Sequence, residues 1–308
     1  MALTLIEANK LNPGNVVQDT IVEIYSGSSD VMRFLPFKTI NGGTYGYSTE
    51  QSLPGIGFRG VNEAYTASTG VLNPKVETLS IAGGDLDVDK FIIQTRGEEE
   101  RSIQEEMKVR ALGLAWTQKF VKGDSASDVR EFDGLQTRLV GDQKFQAGTT
   151  ANGTPLSLGV LDEAIRRTYR PTHILMSSKM AIKFGAAARS STVGGYIQYG
   201  IPELGRIPMS YNGLPIITVD LDGTGAEILP FTEAATSGTA TATSIYVLSL
   251  GDTGVCGLQN GMIDVRDLGE LDTSPVFRTR VEWYSTFGVF HGRAATRIWS
   301  ISDAAITA

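Results

Sequence analysis

The sequence predicts an α+β fold built around a discontinuous domain, and three observations predict it. One long amphipathic helix is written over roughly residues 96–122. A glycine- and tyrosine-rich stretch at 36–82 has the alternation of a long β-hairpin but no core of its own. Apolar strands at the C-terminal end have no partner nearby, except a strand that precedes the long helix.

The helix carries the clearest signals. Thr95 and Glu98 spell a T-x-x-E capping box, which satisfies the free N–H groups of a helix start. Glu98, Glu99 and Glu100 sit where the positive end of the helix favours acids. Ile103, Met107, Ala111 and Leu114 recur at spacings of four and three, which marks them as the apolar face. Lys119 and Lys122 occupy the last turn and Gly123 stops it. At about 1.5 Å per residue such a helix is about 40 Å long, the length of a strut.

In the hairpin, Tyr45, Tyr47, Phe58 and Tyr65 are spaced as on extended strands, with Leu53-Pro54-Gly55 as the turn. An isolated two-stranded hairpin is marginal in water, so this one needs another molecule to lie against. Before it, residues 1–35 hold one short amphipathic stretch, Val16, Val17, Ile21 and Ile24, between the breakers Asn12-Pro13-Gly14 and Ser26-Gly27-Ser28-Ser29. This segment reads as an arm that lies on something else.

A strand at 83–92 leads into the long helix, with Leu86 and Val88 on one face. Beyond Gly134 the pattern becomes α/β: a helix marked by Leu158, Leu161 and Ile165, a strand His173–Met176, and a helix capped by Ser178 that runs to about Arg189. Apolar strands then follow at Leu214–Val219 and Ile245–Leu250. Residues 221–243, rich in Gly, Thr, Ala and Ser, read as a loop with few anchors. From Pro275 the chain ends in long strands. Phe277, Thr279, Val281 and Trp283 alternate with Arg278, Arg280, Glu282 and Tyr284, and the last strand covers 294–302. These strands are expected to return to the strand at 83–92, leaving residues 134–269 as an inserted lobe.

Composition narrows the function. The 308 residues are 41% hydrophobic and 20% charged, a globular balance. No apolar run approaches the roughly 18 residues that span a bilayer, so no membrane is expected as a partner. The first residues lack the basic-then-apolar pattern of a secretory signal, and synthesis in a cytoplasm is the expectation. The single cysteine, Cys256, allows no intrachain disulfide. A net charge of -7 argues against a surface that grips nucleic acid throughout.

Motifs that could carry chemistry fail their context tests. Gly55, Gly57 and Gly60 spell G-x-G-x-x-G, yet Pro54 precedes them and no helix start follows, as a dinucleotide site requires. Asp85, Asp87 and Asp89 open like a calcium loop, but the sixth and twelfth positions hold Lys90 and Arg96. Cys256, His173 and His291 are too few for a closed zinc site without an acidic ligand, and only residue type suggests a Cys–His nucleophile pair. The sequon Asn152-Gly153-Thr154 reads as a loop. No catalytic residue, cofactor or metal is therefore assigned. Clustered carboxylates brought together by the fold remain the route to an enzyme.

The order of elements resembles the major capsid proteins of tailed bacteriophages, which have the Hong Kong 97-type fold. PKVETLSIAGGDLDVDKF is similar to that family's strand leading into its long helix, and FVKGDSASDVREFDGLQTRL to the segment where the helix ends. HILMSSKMAIKF with NGLPIITVD is similar to its strand, helix and following strand, and RVEWYSTFGVFHGRAATRIWSI to its closing strands.

The resemblance implies an N-terminal arm (1–35), an extended hairpin or E-loop (36–82), a peripheral domain (83–133 with 270–308) carrying the spine helix, and an axial domain (134–269). It implies self-assembly into pentamers and hexamers of an icosahedral head around double-stranded DNA contacted non-specifically. Portal, scaffolding or decoration proteins would be further partners, the virion the location, and the bacterial host cytoplasm the place of assembly. Subunit contacts are expected at the hairpin tip (Gln51, Leu53, Pro54, Ile56, Phe58, Arg59) and at a loop facing the local symmetry axis (Asp222, Thr224, Glu227, Thr232). Some members of the family cross-link through a hairpin lysine, but Lys38 and Lys75 flank the hairpin base here, and no cross-link is expected. Nor is a cleaved N-terminal scaffolding region expected. Alternatives are an encapsulin-type shell, a soluble α/β enzyme with a carboxylate site, or another virion component such as a tail-tube or decoration protein.

Overall fold

The computed structural model describes residues 29–96, 99–189, 197–198 and 209–307. In chain order the first elements are helix α1 (Asp30–Phe34), strands β1 (Phe37–Thr39), β2 (Thr44–Ser52), β3 (Val71–Thr78) and β4 (Ser80–Asp89), and helices α2 (Lys90–Arg96) and α3 (Glu99–Lys122). There follow α4 (Leu135–Arg138), β5 (Lys144–Gln146), α5 (Leu158–Arg167), β6 (His173–Ser177) and α6 (Ser178–Ala188). The remaining strands are β7 (Ile197–Gln198), β8 (Ser210–Tyr211), β9 (Leu214–Val219), β10 (Glu233–Ala234), β11 (Ala240–Leu248), β12 (Val255–Gln259), β13 (Asp264–Glu270), β14 (Val276–Val289) and β15 (Ala295–Ser302).

The returning strand is where the sequence placed it. β14 pairs antiparallel with β4 over a continuous register from Val276↔Asp89 to Ser285↔Ser80. Its other edge takes β13 and then β12, and β12 takes β1 in parallel. Side chains alternate along β14: Thr279, Val281 and Trp283 are buried, while Arg278, Arg280 and Glu282 look outward. On that outer face Arg280 holds Asp85 at 2.7 Å and Arg278 holds Asp87 at 2.6 Å. The acidic run in β4 is thus the outward half of a cross-strand ion-pair ladder, and both carboxyls are pulled below the usual range, chiefly by those guanidinium hydrogen bonds.

Helix α3 lies on the inward face of this sheet. Trp116 and Phe120 stack at 5.4 Å, and Trp116 lies 5.7 Å from Trp283 and 5.6 Å from Phe37. Its indole N–H donates to Ser285 Oγ at 3.0 Å, so the buried ring leaves no donor unmet. The buried face of the helix is therefore Val109, Gly113, Trp116 and Phe120. The apolar series expected to be buried points the other way: Ile103 is 51% and Met107 59% exposed. Thr95 is also not a cap. It lies in α2, and its hydroxyl donates to the Phe91 carbonyl at 2.8 Å; Glu98, its expected partner, is outside the described residues, as is the Val16–Ile24 stretch.

Gly123 does end the helix, for a reason beyond its freedom. Gly134 returns against it, donating to its carbonyl at 2.8 Å, and Thr137 Oγ1 donates to the same oxygen at 2.9 Å. A Cβ on Gly134 would stand 2.6 Å from both Gly123 N and the Lys119 carbonyl.

The second sheet runs β5-β15-β11-β6-β9-β8-β7, with β10 on β11. Helices α5 and α6 cover one face, burying Leu161, Ala164, Met180 and Phe184 against Ile174, Met176, Ile216, Ile245 and Val247. The other face sends Leu175, Ile217, Val219, Tyr246 and Leu248 into the same core as Trp116 and Trp283. Successive residues serve opposite cores, as the two-residue strand period demands.

Sheet membership departs from the expected division. β15 does not pair with β4; it joins β11 antiparallel and β5 in parallel, inside the lobe taken as an insertion. β12 and β13, placed in that lobe from sequence, belong to the sheet of β14. The segment up to residue 35 is not wholly an arm, since Val31, Met32 and Leu35 are buried in the main core. Smaller shifts are that the strand before the helix is Ser80–Asp89, that Ser177 rather than Ser178 caps α6, with its Oγ accepting from Met180 N at 3.2 Å, and that β11 begins inside the expected 221–243 loop.

Gly134→Ala is expected to lower stability by about 1–3 kcal/mol, because the backbone on both sides of the contact must move. Thermal unfolding of the purified chain measures it, and an unchanged midpoint would show that the two glycines are not in close contact.

Candidate assembly surfaces

The hairpin is the most exposed apolar feature of the described chain. β2 and β3 pair only with each other, from Thr44↔Thr78 to Ser52↔Val71. The ladder stops at Leu53, where Pro54 has no N–H to give. The turn is therefore not Leu53-Pro54-Gly55 alone but the whole of 53–70, none of it strand. This tip has internal order. Gly60 N donates to Glu63 Oε2 at 2.7 Å, Ser68 Oγ donates to the Gly55 carbonyl at 2.7 Å, and the Arg59 guanidinium lies 5.1 Å over the Tyr65 ring. Glycines 55, 57 and 60 belong to this tip, with no helix N-terminus beside them.

All the expected tip residues with described side chains face solvent. Ile56 is 92% and Phe58 fully exposed, and Leu53, Pro54 and Arg59 are exposed too. Gln51 lies in β2, and its side chain is outside the described set. Val61, Val71, Leu72 and Val76 extend the apolar surface down the hairpin. Exposed apolar side chains of this kind make the hairpin a candidate interaction surface.

Sequence reasoning missed what fixes the root of the hairpin. Glu77 on β3 is buried, and Oε1 of its carboxylate accepts from Arg138 Nη1 at 2.6 Å and from the Tyr47 hydroxyl at 2.9 Å. Arg138 also donates through Nε to the Asp133 carbonyl at 2.6 Å and lies 4.6 Å over the Phe287 ring. Tyr47 meets Phe290 edge to face at 4.8 Å. Burial, then the Glu77 charge, raises the Tyr47 phenol above its ordinary range. These contacts tie both hairpin strands to α4 and to the end of β14. A lone Glu and a lone Arg separated by 61 positions give no local pattern to read.

The loop at 221–243 is better anchored than its composition suggests. Ile228 and Leu229 are in the main core. Asp222 is nearly buried and used within the chain: Oδ1 accepts from Thr224 N and Oγ1 and from Ala226 N, while Oδ2 accepts from Gln118 Nε2 on α3 at 2.9 Å. The Thr224 hydroxyl, foremost of these, pulls the Asp222 carboxyl below its usual range. Glu227 pairs with Lys179 at 2.6 Å, and Thr224 and Thr232 are exposed. The structure thus keeps Asp222 and Glu227 for intramolecular duty and leaves Thr224 and Thr232 on the surface.

The remaining candidates stay apart. Cys256 is buried in β12, its thiol pushed up to about 12, mainly by burial. The His173 ring lies tilted 5.1 Å from Phe34, with burial lowering its pKa, whereas His291 stacks on Tyr169 at 4.8 Å. Among the described residues no group of three or more His, Cys, Asp or Glu could hold a metal ion, and no helix is long and apolar enough to cross a membrane.

Glu77→Ala strands the Arg138 charge in a nearly buried site, which should cost about 3 kcal/mol. Hydrogen exchange should then quicken in Thr44–Ser52 and Val71–Thr78 more than in β14; equal protection in variant and parent would show that the ion pair does not hold the root. Cys256 in the folded chain should resist iodoacetamide at pH 8 and react after denaturation, as alkylation followed by mass spectrometry would report.

No protein-family model matches the sequence, and no curated protein matches it. Solved structures do. A chain of the holo-SrpI encapsulin complex from Synechococcus elongatus PCC 7942 is 18% identical, with a TM-score of 0.64 over 100% of this chain and 99% of that one. The capsid of a native GTA particle gives a TM-score of 0.66 at 14% identity, over 89% and 91% of the two chains. A chain from Mycobacterium phage Bobi gives 0.62 at 13% identity, over 90% and 91%. With its long helix, its hairpin paired only with itself and its returning strand, and with these likenesses over most of its length, the chain has the Hong Kong 97-type fold.

Proposed function

We propose that this chain is a major capsid protein, a structural subunit that assembles into pentamers and hexamers of an icosahedral phage head around double-stranded DNA. The observation that carries the reading is the hairpin. It presents Leu53, Ile56, Phe58 and Val61 to solvent on a tip ordered by its own hydrogen bonds, and its root is fixed to the body. A monomer gains nothing from this arrangement, since burying such a side chain is worth about 1.5–3 kcal/mol. A neighbouring copy supplies the missing surface. Thr224 and Thr232 remain as candidate contacts near a symmetry axis.

In this reading the chain performs no catalysis and uses no cofactor. Portal, scaffolding or decoration proteins would complete the particle, DNA would be touched without sequence preference, and assembly would take place in the bacterial host cytoplasm. The division into arm, E-loop, peripheral and axial domains belongs to the same proposal. The sheets support a peripheral unit that includes β12 and β13 and an axial unit that includes β15.

The near-complete mutual coverage with the encapsulin chain favours a second reading, a cellular shell around protein cargo. Contents distinguish the two: particles from the native source that hold nuclease-protected DNA fit a virus, and particles that hold a co-purifying protein without DNA fit a compartment.

Electron microscopy of the purified protein should show closed shells or rings of five and six. A discrete dimer or tetramer that never assembles would overturn both readings. Phe58→Asp with Ile56→Asp should leave the monomer's melting temperature unchanged and abolish shells on size-exclusion chromatography. Normal assembly of that variant would remove the tip from the interface.

A further inference from the structure

Asparagine followed by glycine is a chemically labile pair, because glycine has no side chain to keep its nitrogen away from the asparagine carboxamide. The sequence holds four such pairs: Asn41-Gly42, Asn152-Gly153, Asn212-Gly213 and Asn260-Gly261. Reaction requires rotation about the asparagine Cα–C bond until the glycine nitrogen meets the carboxamide carbon. The fold resists that rotation at three of the four. Gly153 is buried and its N–H donates to the Thr150 carbonyl at 3.1 Å, while Asn152 accepts through Oδ1 from Thr239 and through its carbonyl from Thr241. Asn212 and Gly213 make the whole β8–β9 turn at φ 49° and 77°, clamped by the pairing of buried Tyr211 with Leu214. Asn260 donates its backbone N–H to the Tyr284 carbonyl at 3.1 Å and its carboxamide N–H to the Gly42 carbonyl at 3.3 Å. Asn41 differs. It is exposed in the link between β1 and β2, and its carboxamide has no partner among the described residues. Gly42, at φ 108°, and Gly43 follow it, and a Cβ on either would meet nothing within 4 Å. Two open glycines can take up the rotation.

We propose that Asn41 is a site of spontaneous deamidation, a covalent modification at the root of the hairpin. The Gly42 backbone nitrogen gives up its proton and attacks Asn41 Cγ. The new C–N bond closes a five-membered imide, the Cγ–Nδ2 bond breaks, and the nitrogen leaves as ammonia with that proton. A solvent water then opens the ring at one of its two carbonyls. One opening leaves aspartate; the other leaves isoaspartate, with the main chain running through Cβ and Cγ. The sum is water taken up and ammonia released, with no change of oxidation state. Both products place a negative charge at position 41, and isoaspartate also adds one atom to the main chain between β1 and β2. That extra atom displaces the Gly42 carbonyl from Asn260, one of the contacts that hold the start of β2 to β12. The Glu77–Arg138 tie lies on the other strand of the hairpin and is left in place. The modified hairpin is thus held on the β3 side and loosened on the β2 side.

The test is peptide mapping by mass spectrometry of the full chain aged at pH 8, once folded and once in denaturant. In denaturant all four sites should react at comparable rates, since glycine follows each. In the folded chain Asn41 should keep most of its denatured rate, and the other three should slow several-fold. An Asn41 slowed as much as the others, or another site leading, would overturn the proposal. Hydrogen exchange gives the consequence. Thr44–Ser52 should exchange faster in aged parent than in fresh parent, and no faster in aged Asn41→Gln, whose longer side chain closes the ring far more slowly. Equal protection in aged and fresh parent would show that the modification does not loosen the root.

Discussion

The pairing of β4 with β14 is the constraint on which the rest of the molecule depends. It joins Ser80–Asp89 to a strand almost two hundred positions later, in a continuous antiparallel register. The hairpin precedes β4 directly and the long helix follows it, so both are aimed by this one ladder. Gly83 is required in it, because a Cβ there would collide with the Val281 carbonyl across the strands. Closing so long a loop costs entropy before any contact repays it, and this ladder is expected to form late in folding for that reason. Its outward ion pairs contribute little individually, since they are solvated. The stabilising side is the inward one, where Val281 and Trp283 meet α3.

A second consequence is that the two sheets do not form independent bodies. One face of the β11 sheet feeds the core built around Trp116 and Trp283. Where α3 ends against that sheet, a polar cluster is buried. Arg297 Nη2 reaches Glu233 Oε2 at 3.1 Å, Ser244 Oγ donates to the same oxygen, and Arg297 Nε donates to Ser244 Oγ at 3.0 Å. Lys122 faces this cluster from the last helical turn, and burial lowers its pKa. A buried pair of this kind is weak as a source of stability, since desolvation offsets much of the attraction. It does fix the angle at which helix end, loop and sheet meet, because a displaced partner leaves a charge unpaired.

How much was legible in the sequence follows from which interactions are local. Helix α3, its stop at Gly123, the alternation of β14 and the coreless hairpin were readable, because each is written in neighbouring residues. The buried face of α3 was misread. Ile103 and Met107 obey helical spacing as well as Val109, Trp116 and Phe120 do, and periodicity cannot tell a face turned to the core from one turned elsewhere. The lobe boundaries were misread because β12, β13 and β15 are chosen by sheet partners far away in the chain. Of the candidate site, the tip residues came from the resemblance, and the structure adds that Leu53, Pro54, Ile56, Phe58 and Arg59 are exposed. The Glu77–Arg138 tie was invisible, since each is a single charged residue until folding supplies its partner, whereas the Asp222 turn is local, closed by Thr224 and Ala226, and was passed over as loop.

The same contrast explains why the hairpin is fixed at one end and bare at the other. A tip with Ile56 and Phe58 in water would collapse onto its own body if its root could turn freely, because burial of each ring or branched chain is favourable by about 1.5–3 kcal/mol. The buried Glu77 carboxylate, held by both Arg138 and Tyr47, opposes that collapse by making rotation leave a charge unpaired. The apolar surface is thereby kept available at a set direction. In the proposed shell each subunit would give one such tip and receive another, so contacts too weak to hold a pair against the entropy of association would accumulate around a closed symmetric surface. A rigid root is what makes those contacts repeat with the same geometry in every copy.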